Sequence, residues 1–350
     1  MNRIQKFLLV PVSWFYGAAV YVRNACYDLQ LLRTVQVAVP VISVGNITAG
    51  GTGKTPFVEY LMKFFHQGQQ RTALVSRGYK RSSHGTVIVS DGKALSAGVD
   101  AAGDEPFQIA RKFPQAAVIV DEQKVRGTRV AVERFHPDVI LLDDGFQHRA
   151  LARTLDIVML DGRKPLKETS LLPVGLRREQ LSSLHRADAV LISGMPDDLR
   201  RRNEIREFSN APQFTIRYVP VQVCNLVSNE KFTAESVRGK TVVAFCGVGN
   251  PDSFRQTLDE MGLKVAAWMT FPDHQRYTES DVKKFRSACE NLNADFVVTT
   301  EKDAVRLLPL SSLQAMPAPA FYYIAIEVVV TDGEAELQSL IRSALGGETE

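Results

Sequence analysis

Residues 45–55, Gly45-Asn46-Ile47-Thr48-Ala49-Gly50-Gly51-Thr52-Gly53-Lys54-Thr55, confine this chain to few folds. Ahead of them Val37 to Val44 is a short apolar run that reads as a buried strand. Behind them Pro56 suits a helix's first turn, and Phe57, Leu61, Phe64 and Phe65 recur at helical spacing. A strand, a glycine loop and a helix N-terminus make an anion cradle, because free backbone N–H groups converge there and the helix dipole favours negative charge. Thr48, Ala49, Gly50, Gly51, Thr52 and Gly53 would wrap the phosphates of ATP or GTP. Lys54 would reach the β- and γ-phosphates, and the Thr55 hydroxyl would ligate Mg2+. The usual G-x-x-x-x-G-K-[ST] spacing puts glycine at position 48, where this chain has Thr48. Gly50, Gly51 and Gly53 supply the freedom instead, so this is a variant P-loop.

Composition sets the wider limits. A chain of 350 residues has room for two domains, and 45% apolar with 23% charged residues is usual for a soluble globular protein. A net charge of +3 is too small to argue for nucleic acid. Cys26, Cys224, Cys246 and Cys289 lie far apart without CxxC spacing, which predicts reduced thiols rather than a disulfide frame or zinc site. Phe7 to Val22 is almost wholly apolar, carries Trp14, Phe15, Tyr16 and Tyr21, and is flanked by Arg3, Lys6, Arg23 and Arg33. A spanning helix needs about 20 apolar residues, and this run is shorter and interrupted by Pro11 and Gly17. No signal-peptide cleavage site follows. Aromatic beside basic residues suit the headgroup region of a bilayer, so residues 1–35 read as a membrane-interfacial segment; a helix packed on the protein's own core is the alternative.

Apolar strands alternate with helical patterns from Thr72 to Ser193, which implies a parallel sheet covered on both faces over residues 36–212. From Gln213 the texture changes. Phe214 to Val223 reads as an extended connector, and a new α/β run starts at Thr241, with a glycine turn at Gly247 to Pro251. The expected fold is therefore α/β: a P-loop NTPase-like parallel-sheet domain plus a smaller second lobe over 213–350, with a cleft between them.

Asp138 to Asp144 is a buried strand ending in two carboxylates, Asp143 and Asp144, at the sheet edge where open α/β sheets hold ligands. Either could hold the metal bridging the phosphates. Asp104, in Gly103-Asp104-Glu105-Pro106, is a candidate proton acceptor, although the pattern favours a helix N-cap. Taken alone, Arg177 and Arg178 read as a solvated basic stretch, and His148 and His274 as ordinary loop histidines.

Several segments, in order, resemble tetraacyldisaccharide 4'-kinase, the lipid A 4'-kinase of Gram-negative bacteria. They include the glycine loop with Thr48, Ser76-Arg77-Gly78-Tyr79, Gly103-Asp104-Glu105-Pro106, Leu142 to His148, Leu171 to Glu179, Gly247 to Pro251, Phe271-Pro272-Asp273-His274 and Thr299 to Ala304. The resemblance implies an ATP- and Mg2+-dependent enzyme at the cytoplasmic face of the bacterial inner membrane. It implies transfer of the γ-phosphate to the 4'-hydroxyl of a tetraacylated glucosamine disaccharide 1-phosphate, giving lipid IVA. It further implies Asp104 as catalytic base, His274 assisting across the cleft, Asp143 and Asp144 at the metal, and Arg178 and Glu179 near the phosphates. No nucleic acid and no obligate protein partner is implied. The alternative class is a nucleotide-driven switch or targeting ATPase, whose glycine loops look similar but in which Asp104 and His274 have no evident task.

Overall fold

The chain is described by a computed structural model covering residues 3–346, apart from 165, 168, 195–198, 229 and 315–318. The expected flanking charges Arg3 and Lys6 have side chains outside the described set. Strands are β1 (Val41–Gly45), β2 (Thr72–Ser76), β3 (Val87–Asp91), β4 (Ala117–Val120), β5 (Val139–Asp143), β6 (Leu155–Asp161) and β7 (Ala189–Ser193). After them come β8 (Gln213–Asn225), β9 (Lys231–Thr233), β10 (Thr241–Cys246), β11 (Lys264–Thr270), β12 (Phe296–Thr300) and β13 (Phe321–Asp332). Helices are α1 (Arg3–Asp28), α2 (Lys54–Gln67), α3 (Val99–Ala102), α4 (Asp104–Lys112), α5 (Lys124–Phe135) and α6 (Leu199–Arg206). The second part adds α7 (Pro251–Glu260), α8 (Glu279–Asn291), α9 (Glu301–Leu307), α10 (Ser311–Gln314) and α11 (Glu334–Ser343).

The protein is mixed α/β with one large sheet, ordered β11-β10-β12-β13-β8-β7-β6-β1-β5-β2-β4-β3, and β9 paired to β8 off this path. Pairing is mostly parallel: β1 lies between β5 and β6, and β10 between β11 and β12. Antiparallel contacts occur at the β3 edge and where β8 meets β9 and β13. The expected connector over 214–223 is thus a full strand. The start of β8 pairs with β7, while the start of β13 pairs with β12, so this two-stranded ribbon carries the sheet from one half into the other.

Core packing follows the period-2 alternation of the strands. Along β10, Val242 and Ala244 face α7 through Phe254 and Leu258, whereas Val243 and Phe245 face α8 through Val282 and Phe285. In the first half Ile42 and Val44 pack under Phe57, Leu61 and Phe65 of α2. Leu337 and Ile341 of α11 join that same core, so the chain's last helix returns to the glycine-loop half.

The interruption expected in the N-terminal run is absent: α1 is continuous through Pro11. Pro11 sits on the exposed side. Gly17 is buried, and a Cβ there would lie 2.8 Å from Leu171 Cδ1, so this glycine serves a close approach rather than a break. The opposite side of α1 bares Phe7, Trp14 and Phe15, 74–80% exposed. Among the described residues no helix is long and apolar enough to cross a membrane.

Candidate active site

The glycine loop joins β1 to α2, which begins at Lys54, so Pro56 falls in the first turn as expected. Gly53 caps the helix at φ +78°, a left-handed conformation that suits glycine. Its backbone is crowded by Tyr218 of β8, whose hydroxyl donates to the Thr52 carbonyl at 3.2 Å. The loop is braced by Asn46 donating to the Thr52 hydroxyl at 2.9 Å and by the Ala49 N–H donating to the Leu176 carbonyl at 2.6 Å.

Asp143 and Asp144 stand at the carboxyl end of β5, beside this loop. Lys54 lies 3.3 Å from Asp144 Oδ1, and Arg178 Nη1 is 2.6 Å from Asp144 Oδ2. Burial works to raise the Asp144 carboxyl, but Lys54, Arg178 and Lys124 outweigh it and hold it well below the usual range. Asp143 accepts from the Ser76 hydroxyl at 2.8 Å through Oδ2, while its buried Oδ1 has no partner. Burial, then Glu105 and Asp144, push the Asp143 carboxyl up to about 6. The buried Lys124 ammonium donates to the Asp143 and Asp144 carbonyls, fixing the strand end.

Asp104 does not cap its helix. It is the first residue of α4, Gly103 occupies the cap position at φ +86°, and no side-chain cap bond forms. Its carboxylate instead faces the second half of the molecule. Oδ2 is 2.8 Å from His274 Nδ1 and accepts from Arg306 Nε at 2.7 Å. Burial raises the Asp104 carboxyl, but the His274 hydrogen bond and the Arg306 charge prevail and lower it. Lys302 lies 3.1 Å from Glu105 Oε1 and 3.3 Å from His274 Nε2.

These groups share one open cleft of about 1590 Å³ that includes Lys54, Thr55, Asp104, Asp143, Arg178 and His274. His148 lines it too; burial and then neighbouring cations lower its imidazole to about 4, so it is neutral, and its buried Nε2 has no partner. Glu179 is placed elsewhere. It is fully buried and binds Arg186 at 2.8 Å, Asn24 at 2.9 Å and Arg23 at 3.3 Å, so it anchors α1 rather than lining the cleft. Arg177 meets Thr48 through its backbone, and its Nε is buried without a partner; Arg178 is the arginine at the carboxylates.

Ser76 and Lys302 stand in motifs noted in the sequence but without a role, and Lys124 and Arg306 went unnoticed. Ser76 ends β2 at the ligand edge of the sheet, a readable signal; Lys124 opens a helix and reads as surface, and Arg306 lies within an ordinary helical segment.

The family described as Tetraacyldisaccharide-1-P 4'-kinase matches residues 5–346. A tetraacyldisaccharide 4'-kinase from Chlorobaculum parvum is 37% identical over 352 residues, spanning 98% of this chain and 96% of that one. Its counterpart from Syntrophus aciditrophicus is 38% identical over 337 residues, spanning 92% and 89%. A solved structure described as the "apo" form of LpxK from Aquifex aeolicus in complex with ATP aligns with a TM-score of 0.79 at 32% identity, covering 97% of this chain and 99% of that one. The chain belongs to the tetraacyldisaccharide 4'-kinase family, phosphotransferases acting on a hydroxyl group in lipid A biosynthesis. The resemblance carried by the ordered motifs is borne out.

Proposed function

We propose that this family member binds ATP with Mg2+ on the loop Thr48 to Thr55 and moves the γ-phosphate to the 4'-hydroxyl of a tetraacylated disaccharide 1-phosphate, giving lipid IVA. The observation that carries this reading is the shared cleft, in which a lysine-bearing glycine loop, two strand-end carboxylates and a separate hydrogen-bonded carboxylate, Asp104, face one another.

The residues fit a magnesium ion. Asp143 Oδ1 is buried without a partner, a costly state unless a cation or donor joins it. Among the described residues no three His, Cys, Asp or Glu side chains converge, so the ion would be held by Asp143, Asp144 and the Thr55 hydroxyl and completed by substrate oxygens. Bound there, it would supply neutralisation of the charge that builds up on the transferring phosphate.

The remaining work falls to the chain itself. Lys54 and Arg178 are now spent on Asp144, and both sit where an incoming triphosphate would draw them onto its oxygens. Asp104 takes the proton of the attacking 4'-hydroxyl, and His274 orients it. The Gly247–Asn250 turn passes close over the loop: a Cβ on Gly249 would lie 3.8 Å from Gly51 N. The kinase domain is residues 36–212 together with α11, which packs into its core, and the closing lobe is the rest of 213–350, built around β10 and hinged on β8 and β13. The exposed aromatic side of α1 docks on the cytoplasmic face of the inner membrane and delivers the cleft to a substrate that stays in the bilayer.

Incubation with γ-labelled ATP, magnesium and the disaccharide lipid in mixed micelles tests this reading. Label in the lipid supports it; label in free phosphate alone supports the nucleotide switch.

A further inference from the structure

We infer that Arg306 of α9 is a positioning residue for proton transfer, one that completes the base on Asp104 from the other half of the molecule. The inference rests on Asp104 being the base. Arg306 is nearly closed to solvent, at 5% side-chain exposure. Its Nε donates to Asp104 Oδ2 at 2.7 Å, while Nη1 donates to Asp303 Oδ1 at 2.7 Å and to the Gly247 carbonyl at 2.9 Å. Asp303 is itself fully buried and pinned by the Tyr277 hydroxyl at 2.9 Å, the Thr300 hydroxyl at 2.6 Å and the Gly247 N–H at 3.0 Å. The guanidinium therefore has one position, set by a rigid frame in the second half, and presents one N–H to a carboxylate on the first.

Two features separate this from an ordinary ion pair. An arginine that only clamps a carboxylate does so best with two parallel bonds to its two oxygens. Here the guanidinium spends its Nη1 on Asp303 and Gly247, and both donors to Asp104, Arg306 Nε and His274 Nδ1, meet the same oxygen, Oδ2. Among the described residues no protein donor reaches Asp104 Oδ1, and the side chain keeps 17% exposure, so one oxygen stays open to an incoming hydroxyl. The second feature is the permanence of the charge. A guanidinium keeps its charge at every working pH, and its Nη2 also lies 3.5 Å from His274 Nδ1, so Arg306 gives Asp104 a fixed cation beside the His274 hydrogen bond. The groups around the His274 side of this pair are Asp273 and Lys302 at Nε2, Glu105 paired with Lys302, and the Tyr79 ring, whose centroid is 5.0 Å from that of His274.

The test compares kcat against pH for Arg306→Gln, Arg306→Lys and Asp104→Asn, with Mg·ATP binding by calorimetry and melting temperature as checks on fold. Arg306→Gln should lower kcat about tenfold or more. It should also move the acid limb of the profile upward by about one pH unit, because Asp104 loses the cation that favours its ionised form. ATP affinity should hold. Arg306→Lys keeps the charge, so its limb should stay near wild type while kcat falls less than in the Gln variant. If Arg306→Gln fails to fold, the Lys variant decides: a wild-type kcat overturns the inference, and a reduced kcat with unmoved limb and unmoved ATP affinity upholds it. An inactive Asp104→Asn beside an Arg306→Gln whose limb has not moved leaves the base in place and overturns the positioning role. An active Asp104→Asn overturns the base, and the inference with it.

Discussion

Replacing Glu179 by Ala separates the two roles this residue has been given. A place near the phosphates predicts lost chemistry, whereas the structure places it under α1. Its carboxylate is fully buried and pairs with Arg186, 9% exposed, at 2.8 Å; the second partner, Arg23, is 39% exposed and contributes little after screening. Removing one partner of a buried pair costs about 3–5 kcal/mol, because the other charge is left uncompensated. At roughly 2 °C per kcal/mol for a chain of this size, the melting temperature should fall by about 6 °C or more. Hydrogen exchange across residues 3–28 should rise, since Asn24 and Arg23 lose the same anchor. Burial works to raise the Glu179 carboxyl, but Arg186 outweighs it and lowers it, so its contribution is present above the ordinary Glu range and is lost as pH falls through the depressed folded value. The stability gap between variant and wild type should therefore close in acid. Unchanged melting and exchange with a selective loss of kcat would refute the reasoning and return Glu179 to the chemistry.

Three further outcomes follow from the geometry. Gly53→Ala places a Cβ 1.8 Å from the Tyr218 hydroxyl at φ +78°, where the backbone alone costs a side chain about 1–2 kcal/mol; calorimetry should show ATP affinity down by about tenfold or more, and a wild-type Kd contradicts this. Asp143 is raised to about 6, so Mg·ATP binding at pH 6 should expel part of a proton from it and at pH 8 none; heats that match in buffers of different ionisation enthalpy at pH 6 contradict this. Trp14→Ser with Phe15→Ser removes two rings 74% and 80% exposed, each worth about 1.5–3 kcal/mol when buried in the interface, so sedimentation with anionic vesicles should show partition falling about tenfold or more; unchanged partition removes α1 as the docking element.

The parts of the site carried by local sequence were legible. Strand, glycines and helix around Lys54 declare themselves by spacing between Val37 and Phe65, and Asp143-Asp144 by ending an apolar run. The parts made by long-range contact were not. Arg306 and His274 lie 202 and 170 residues from Asp104, and nothing in Glu301 to Leu307 distinguishes an active-site arginine from a surface one. On local pattern alone Asp104 reads as a cap, because its first-turn position and its acidity satisfy that pattern, and only its distant partners show where the carboxylate points. Glu179 is the reverse case: the family resemblance implies a place near the phosphates, but Asn24 and Arg186 hold it under α1. Pro11 and Gly17 read as breaks, and the helix passes through both, one residue exposed and the other fitted against Leu171. The single sheet was hidden because β8 resembles a linker until β13 pairs with it.

In the proposed reaction Asp104 removes a proton from an acceptor hydroxyl while the glycine loop holds ATP. Rapid-quench single turnover with Asp104→Asn, saturating ATP and the disaccharide lipid, meets it directly. ATP binding should stay within a fewfold of wild type while the transfer rate falls by about 10²–10⁴. A transfer rate equal to wild type in that variant contradicts it.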